Sequence, residues 1–231
     1  PCVSLKHYIL RADKSGIIAE FKRKSPSKGI LNQYAEVVET TISYMQAGAS
    51  ALSVLTEPDY FMGKDDDLKQ ARFANFCPIL RKDFIFDEYQ IIETKSLGAD
   101  IVLLIAACLD TKELLKLYNL AKQLGLEILF EIHHEDDLKK IPGDDVIIGV
   151  NNRNLTTMET DIETSLTMAD KLSKDFVLVS ESGLKSSVEI IELKKAGYSG
   201  FLMGEQFMKF AKPQEAIKQI ITELNKFQKC S

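Results

Sequence analysis

The chain has 231 residues, 45% of them hydrophobic and 27% charged, with a formal net charge of −5 and an isoelectric point near 5.4. This is enough apolar chain for one large domain whose core needs no covalent staples, and the acidic balance speaks against a general nucleic-acid binder. The best candidate for a membrane span, IVLLIAACL at 101–109, falls far short of the roughly 18 residues required.

Apolar runs of strand length recur in chain order at 16–22 (GIIAEFK), 51–57 (ALSVLTE), 78–84 (PILRKDF), 101–107 (IVLLIAA), 127–132 (EILFEI), 146–152 (VIIGVNN), 176–182 (FVLVSES) and 200–205 (GFLMGE). Between them, helical periodicity marks 35–48, 87–98, 111–125, 162–173, 186–197 and 213–227. The helices after the second and fifth strands are the least marked. QAGASALSV, SLGADIVLL and KAGYSGFLM share one junction: a helix end, Gly, two residues, then an apolar strand. Gly there supplies a left-handed helix cap. Asp87 with Glu88, Asp110 before Glu113 and Ser186 before Glu189 read as helix starts. Eight strand–helix units predict an α/β protein, a single (β/α)8 TIM barrel over 1–231. An open doubly wound sheet would carry a glycine-rich fingerprint after its first strand, where this chain has KRKSPSKG.

A barrel carries its chemistry at the C-terminal ends of its strands. Here those ends are Glu20 and Lys22; Thr56 and Glu57; Lys82 and Asp83; Glu131; Asn151, Asn152 and Arg153; Ser180, Glu181 and Ser182; and Gly204 with Glu205. Alternation places Glu20 and Lys22 on one strand face, with Phe21 and Arg23 on the other. If Leu80 and Leu129 fill the barrel, Lys82, Phe84 and Glu131 top the same interior, while Arg81, Asp83 and Phe130 face the helices or the rim. Glu181 and Ser182 cannot both point inward, so the chain bends at one of them. Lysines and glutamates in one mouth shift each other's pKa values and supply general acids and bases. SESG and FLMGE end the seventh and eighth strands, where barrels bind phosphate through loop N–H groups. These features predict an enzyme that acts on a small phosphorylated substrate by acid–base chemistry.

Other polar clusters read as structural. In EIHHEDD, His133 and His134 are adjacent and point apart with no third ligand at a metal spacing, so a solvated helix start is expected and no metal. KDDDLK at 64–69 is a loop with an acidic helix N-terminus. Ser25–Gly29 is a loop by composition. The scattered Cys2, Cys77, Cys108 and Cys230, with no C-x-x-C pair, fit a reduced, cytoplasmic setting, and the start shows no signal-peptide pattern.

IIAEFKRKSPSKG, ILRKDFI, ILFEIH, GVNNRNL, VSESG and FLMGE, in that order over about residues 16–210, resemble the indole-3-glycerol phosphate synthase family of tryptophan biosynthesis. The resemblance implies a carboxy-lyase that closes, decarboxylates and dehydrates 1-(2-carboxyphenylamino)-1-deoxyribulose 5-phosphate, with no cofactor or metal. It implies Lys82 as general acid in ring closure and Glu131 in proton transfer during dehydration. Lys22 would pair with Glu20 and meet the substrate carboxylate, and Glu20, Asn151 and Glu181 would orient the groups. Ser182, Gly183, Gly204 and Glu205 would hold the phosphate with help from Ser25, Phe61 and Phe84 would pack on the anthranilate ring, and Arg153 would support the site. It further implies that PCVSLKHYILRADKSG, which begins with Pro1 rather than Met, is the remnant (1–15) of an N-terminal extension whose first helix covers the mouth. No nucleic-acid or membrane partner is expected; the chain would be a monomer or weak homo-oligomer, with a neighbouring pathway enzyme as a candidate partner. The alternatives are another phosphate-binding barrel, an isomerase or a Schiff-base aldolase, and a non-catalytic barrel.

Overall fold

The computed structural model describes residues 2–228; Pro1 and Cys230 lie outside them. Eight parallel strands close into a barrel: β1 (Ile17–Phe21), β2 (Ala51–Leu55), β3 (Ile79–Lys82), β4 (Ile101–Ile105), β5 (Glu127–Ile132), β6 (Ile147–Asn151), β7 (Val177–Glu181) and β8 (Gly200–Met203), with β8 pairing back onto β1. Each strand lies within its expected run but is mostly shorter, because the polar residues at the strand ends turn into loops. Helices α1 (Leu5–Leu10), α2 (Val37–Gln46), α3 (Pro58–Phe61), α4 (Asp65–Ala74), α5 (Glu88–Ser96), α6 (Thr111–Gln123), α7 (Glu163–Ala169), α8 (Ser187–Lys195), α9 (Glu205–Met208) and α10 (Pro213–Gln228) surround it.

Strand alternation sorts the core into two apolar clusters. The inner one holds Ile18, Ala51, Leu80, Ile101, Leu103, Ile105, Leu129, Ile147, Val177, Val179 and Leu202, with Leu5 and Ile9 of α1 beneath them. The outer one, between strands and helices, holds Phe21, Phe130, Phe201 and their neighbours. The interior is thus packed with aliphatic side chains, and its polar inward positions lie at the floor and at the mouth. At the floor, Glu127 receives the backbone N–H groups of Leu5 and Lys6, at 2.6 and 3.2 Å, which seats α1 across the barrel's lower opening.

The expected junctions form: Gly48, Gly98 and Gly197 all have positive φ where a helix hands over to the next strand. Capping boxes close the starts of α5, α6 and α8. At α5 the reciprocal partner of Asp87 is Gln90, three residues into the helix, rather than Glu88.

Three expectations need correcting. The segment after β5 is a 3-10 helix over Glu135–Lys140, and His133 ahead of it is buried instead of solvated. Ser25–Gly29 is a tight hairpin, Lys24–Ser25 pairing antiparallel with Gly29–Ile30. Thr56 and Glu57 serve the scaffold: Thr56 joins Asp83 and Arg81, and Glu57 caps α3 by accepting from Asp59, Tyr60 and Phe61 N–H groups.

The outward charges expected on β1 and β3 are held behind the sheet. Arg23 bonds both oxygens of Asp67 in α4 and lies over the Phe21 ring. Arg81 is buried among Thr56, Asp83, Glu93 and Thr94. A buried guanidinium is tolerated because each face of it meets a carboxylate or hydroxyl. These pairs tie β1 and β3 to their helices and leave the inward residues of both strands free for the mouth. No helix among the described residues is long and apolar enough to cross a membrane.

Candidate active site

The inward positions one step above the aliphatic layers carry the expected polar set. On β1, Glu20 follows Ile18 and Lys22 follows Glu20. Lys22 Nζ donates to Glu20 Oε1 at 2.8 Å, and Ser53 Oγ of β2, in register with Glu20, donates to Oε2 at 3.2 Å. On β3, Lys82 Nζ bridges two carboxyl groups, Glu131 Oε2 of β5 at 2.7 Å and Glu181 Oε2 of β7 at 2.6 Å. Asn151 of β6 donates from Nδ2 to the other oxygen of Glu131 at 3.0 Å. Six strands thus contribute to three ion pairs, Lys22–Glu20, Lys82–Glu131 and Lys82–Glu181. Lys82 keeps 15% of its side chain exposed while Glu181 keeps 1%, so Lys82 is the less enclosed partner of the pair.

The two carboxyl groups on Lys82 are not equivalent. Burial alone raises both, since it disfavours the anion. For Glu131 this is outweighed by the Lys82 charge, by His133 and by hydrogen bonds from Lys82 and Asn151, which bring it down to about 2. Glu181 has Lys82 but no second donor, its Oε1 is buried without a partner, and the Glu131 and Glu20 charges oppose its ionisation. It is pushed up to about 8. Burial pushes Lys82 down, but Glu131, Glu181 and Glu20 together hold it above its ordinary value. The cluster therefore sets a lysine cation between a carboxyl held towards its ionised form, Glu131, and one held towards its protonated form, Glu181.

Glu181 reaches Lys82 through a gap in β6. A Cβ on Gly149 would lie 2.1 Å from Glu181 Oε1. Gly204 does the same for Glu20, whose Cβ and Oε1 would lie 2.8 Å from a Cβ placed there. Neither role was foreseen: Gly149 went unremarked inside VIIGVNN, and Gly204 was read only as a phosphate turn. A glycine at an inward strand position is a signal of close approach.

Beyond β7 the chain bends as expected. Ser180 points outward to Asn152 and Ser165, Glu181 inward, and Ser182 and Gly183 follow with φ of 67° and 78°. Two successive residues of positive φ turn the chain sharply at the end of β7, the end of the barrel where phosphate is expected. Gly183 is also pressed against Thr160 of the loop after β6, where a Cβ would come within 2.6 Å, and Asn152 ties that loop to Ser182 O at 3.1 Å. Arg153 donates from its backbone to Asn151 Oδ1 and from Nη1 to Met158 O, and its Nη2 stands 3.8 Å from Glu205 Oε2 with no hydrogen bond made. Ser25 sits apart in the hairpin, accepting from Lys28 N.

The rim on the β2–β3 side is aromatic. Phe84 packs on the inner cluster, with the Phe61 ring centroid 6.5 Å away. Tyr60 and Phe86, which sequence reasoning missed, flank Phe84 at 6.3 and 6.4 Å, the latter stacked at 13°. Among the described residues, the buried side-chain polar atoms without a hydrogen-bond partner belong to His133, Glu181 and Glu205, all at this mouth. Buried polar groups are normally satisfied, and unsatisfied ones concentrate where a ligand completes them.

Comparison with known proteins agrees with this geometry. Residues 1–220 match the family model for indole-3-glycerol phosphate synthase. The indole-3-glycerol phosphate synthase of Bacteroides thetaiotaomicron is 48% identical over 218 residues, covering 94% of this chain and 84% of that protein. Among solved structures, the 3-hexulose-6-phosphate synthase of Salmonella typhimurium superposes with a TM-score of 0.70 at 14% identity, covering 91% of this chain and 99% of that one. A mutant tryptophan synthase α-subunit from Pyrococcus furiosus does so with a TM-score of 0.67 at 12% identity, covering 93% and 99%. At such identities these two share the fold alone. The sequence matches extend over nearly the whole barrel and the strand ends that build its mouth, and on them the chain belongs to the indole-3-glycerol phosphate synthase family.

Proposed function

We propose that the mouth described above is where this indole-3-glycerol phosphate synthase converts 1-(2-carboxyphenylamino)-1-deoxyribulose 5-phosphate to its product, and that Lys82, shared between an ionised and a protonated carboxyl, is the group on which the reaction turns. The observation that carries this reading is the Lys82 bridge to Glu131 and Glu181 at 2.7 and 2.6 Å.

The ring carbon bearing the carboxylate attacks the ketone carbon, and the ketone oxygen takes a proton from the Lys82 ammonium. Carbon dioxide leaves and its bonding electrons restore the aromatic ring. The new hydroxyl then departs as water with a second proton, while a base removes a proton from the carbon beside nitrogen. The cycle takes up one proton from solvent. Glu131, held anionic by its neighbours, is the base of the dehydration. Glu181, held towards its protonated form, steers Lys82 from beneath. Lys22, anchored by Glu20, meets the substrate carboxylate, and Asn151 aims Glu131.

Phe61 and Phe84 offer their ring faces to the anthranilate. Ser182, Gly183, Gly204 and the start of α9 receive the phosphate, and Arg153 and Glu205 close that end of the mouth. The Ser25 hairpin, two residues beyond β1, would reach the phosphate only by moving in from where it sits. The substrate is a small phosphorylated molecule, and the cytoplasm is the expected compartment.

Purified chain incubated with the substrate and followed by indole fluorescence is expected to release product and carbon dioxide in equal amounts, with turnover lost in Lys22→Ala. Absence of both products from folded parent chain, or a Lys22→Ala variant as active as the parent, would contradict these assignments.

A further inference from the structure

His133 has no part in the roles assigned above, yet it stands beside the dehydration base. It lies two residues beyond Glu131, one past the end of β5. Its side chain is 3% exposed, and Nε2 is 3.3 Å from Glu131 Oε1. Neither ring nitrogen has a hydrogen-bond partner. An unpaired buried donor is costly, so a purely space-filling role would be served better by an apolar side chain. The main chain around it is fixed, because Asp137 Oδ2 accepts from the backbone N–H groups of His133 and His134 at 2.9 and 3.1 Å.

The groups that act on the imidazole are Glu131 and Asp137, which favour its charged form, and Lys82 and His134, which oppose it. Burial outweighs them all and holds the ring below its ordinary pKa. A neutral imidazole carries one N–H donor.

In the ligand-free arrangement a third donor to Glu131 is redundant, since Lys82 and Asn151 occupy its two oxygens. The reaction removes one of them. When Lys82 turns its proton to the ketone oxygen it can no longer hold Glu131, and Asn151 alone remains. We propose that His133 is a positioning residue for Glu131: its Nε2–H donates to Glu131 Oε1 once Lys82 has turned to the substrate, keeping the carboxylate aimed and ionised for the dehydration. The inference rests on the role given to Glu131 above.

Two polar variants separate this from a structural role. His133→Gln carries an amide N–H near the Nε2 position, whereas His133→Asn places the same amide near Nδ1, short of Glu131. His133→Asn is expected to lose about tenfold in kcat with little change in KM, the worth of one hydrogen bond to a charged group. The acidic limb of its kcat profile should move up by about one pH unit. His133→Gln should keep both near the parent. Equal kcat and superimposable pH profiles for the two variants would overturn the inference, as would equal losses in both with the profile unmoved. Glu131→Gln measured alongside locates any failure. If it abolishes turnover while Asn and Gln at 133 behave alike, the inference alone fails. If it retains turnover, the reading of Glu131 fails and the inference falls with it.

Discussion

Lys82→Ala is expected to lower kcat by about a thousandfold or more, the scale of a general acid together with the charge it positions. Removing the ammonium leaves Glu131 and Glu181 without the cation they share, and Glu131 then loses most of what keeps it ionised. The fold should survive, because Lys82 lies above the aliphatic layers and keeps 15% of its surface exposed; far-ultraviolet circular dichroism and the melting temperature check this. Lys82→Arg retains a cation but holds its proton too tightly to give it up, and it should be nearly as inactive. Turnover within tenfold of the parent in either variant would remove Lys82 from the role assigned to it.

Gly149→Ala is the second large effect. Its single methyl group would sit 2.1 Å from Glu181 Oε1 and 3.2 Å from Leu129 Cδ1. Alanine itself is at home in a strand, so the penalty comes from displacing Glu181 from Lys82. A loss of about a hundredfold in kcat is expected, with about 1–3 kcal/mol of stability lost to overpacking. The double variant with Glu181→Ala makes the cause measurable. If the methyl acts through Glu181, Gly149→Ala costs little further activity once Glu181 is gone. An undiminished loss in that background would place the damage elsewhere.

Much of this site was legible before the fold was known. Period-two alternation with Leu80 and Leu129 as inward markers put Lys82 and Glu131 at the top of one interior, and Glu20 with Lys22 on one face of β1. What alternation cannot give is which inward residues meet. Lys82 finds Glu131 and Glu181 across 49 and 99 residues of chain, and those meetings depend on how each strand is staggered around the closed barrel. The roles of Gly149 and Gly204 were hidden for the same reason, since the space they leave is filled by side chains from other strands. Ser53 could have been noticed: a lone hydroxyl inside the apolar run ALSVL is unusual in a buried strand, and it faces Glu20. His133 was misread because a pair of histidines before an acidic run resembles a solvated helix start, whereas the first of them, one residue past β5, is buried with Nε2 3.3 Å from Glu131 Oε1.

Glu181 of the Lys82 cluster is expected to keep its proton at neutral pH. The unfolded chain releases that proton near the ordinary carboxyl value of 4.5 and the folded chain only near about 8. Between those values the folded state binds more protons, so stability falls as pH rises across the window. A carbon-13 NMR titration of carboxyl-labelled glutamates from pH 5 to 10 tests this directly. One buried carboxyl is expected to titrate at about 8 and to be missing from Glu181→Gln. If every glutamate carboxyl is already ionised at pH 6, Glu181 is an ordinary carboxylate and the proton inventory proposed for the mouth is wrong.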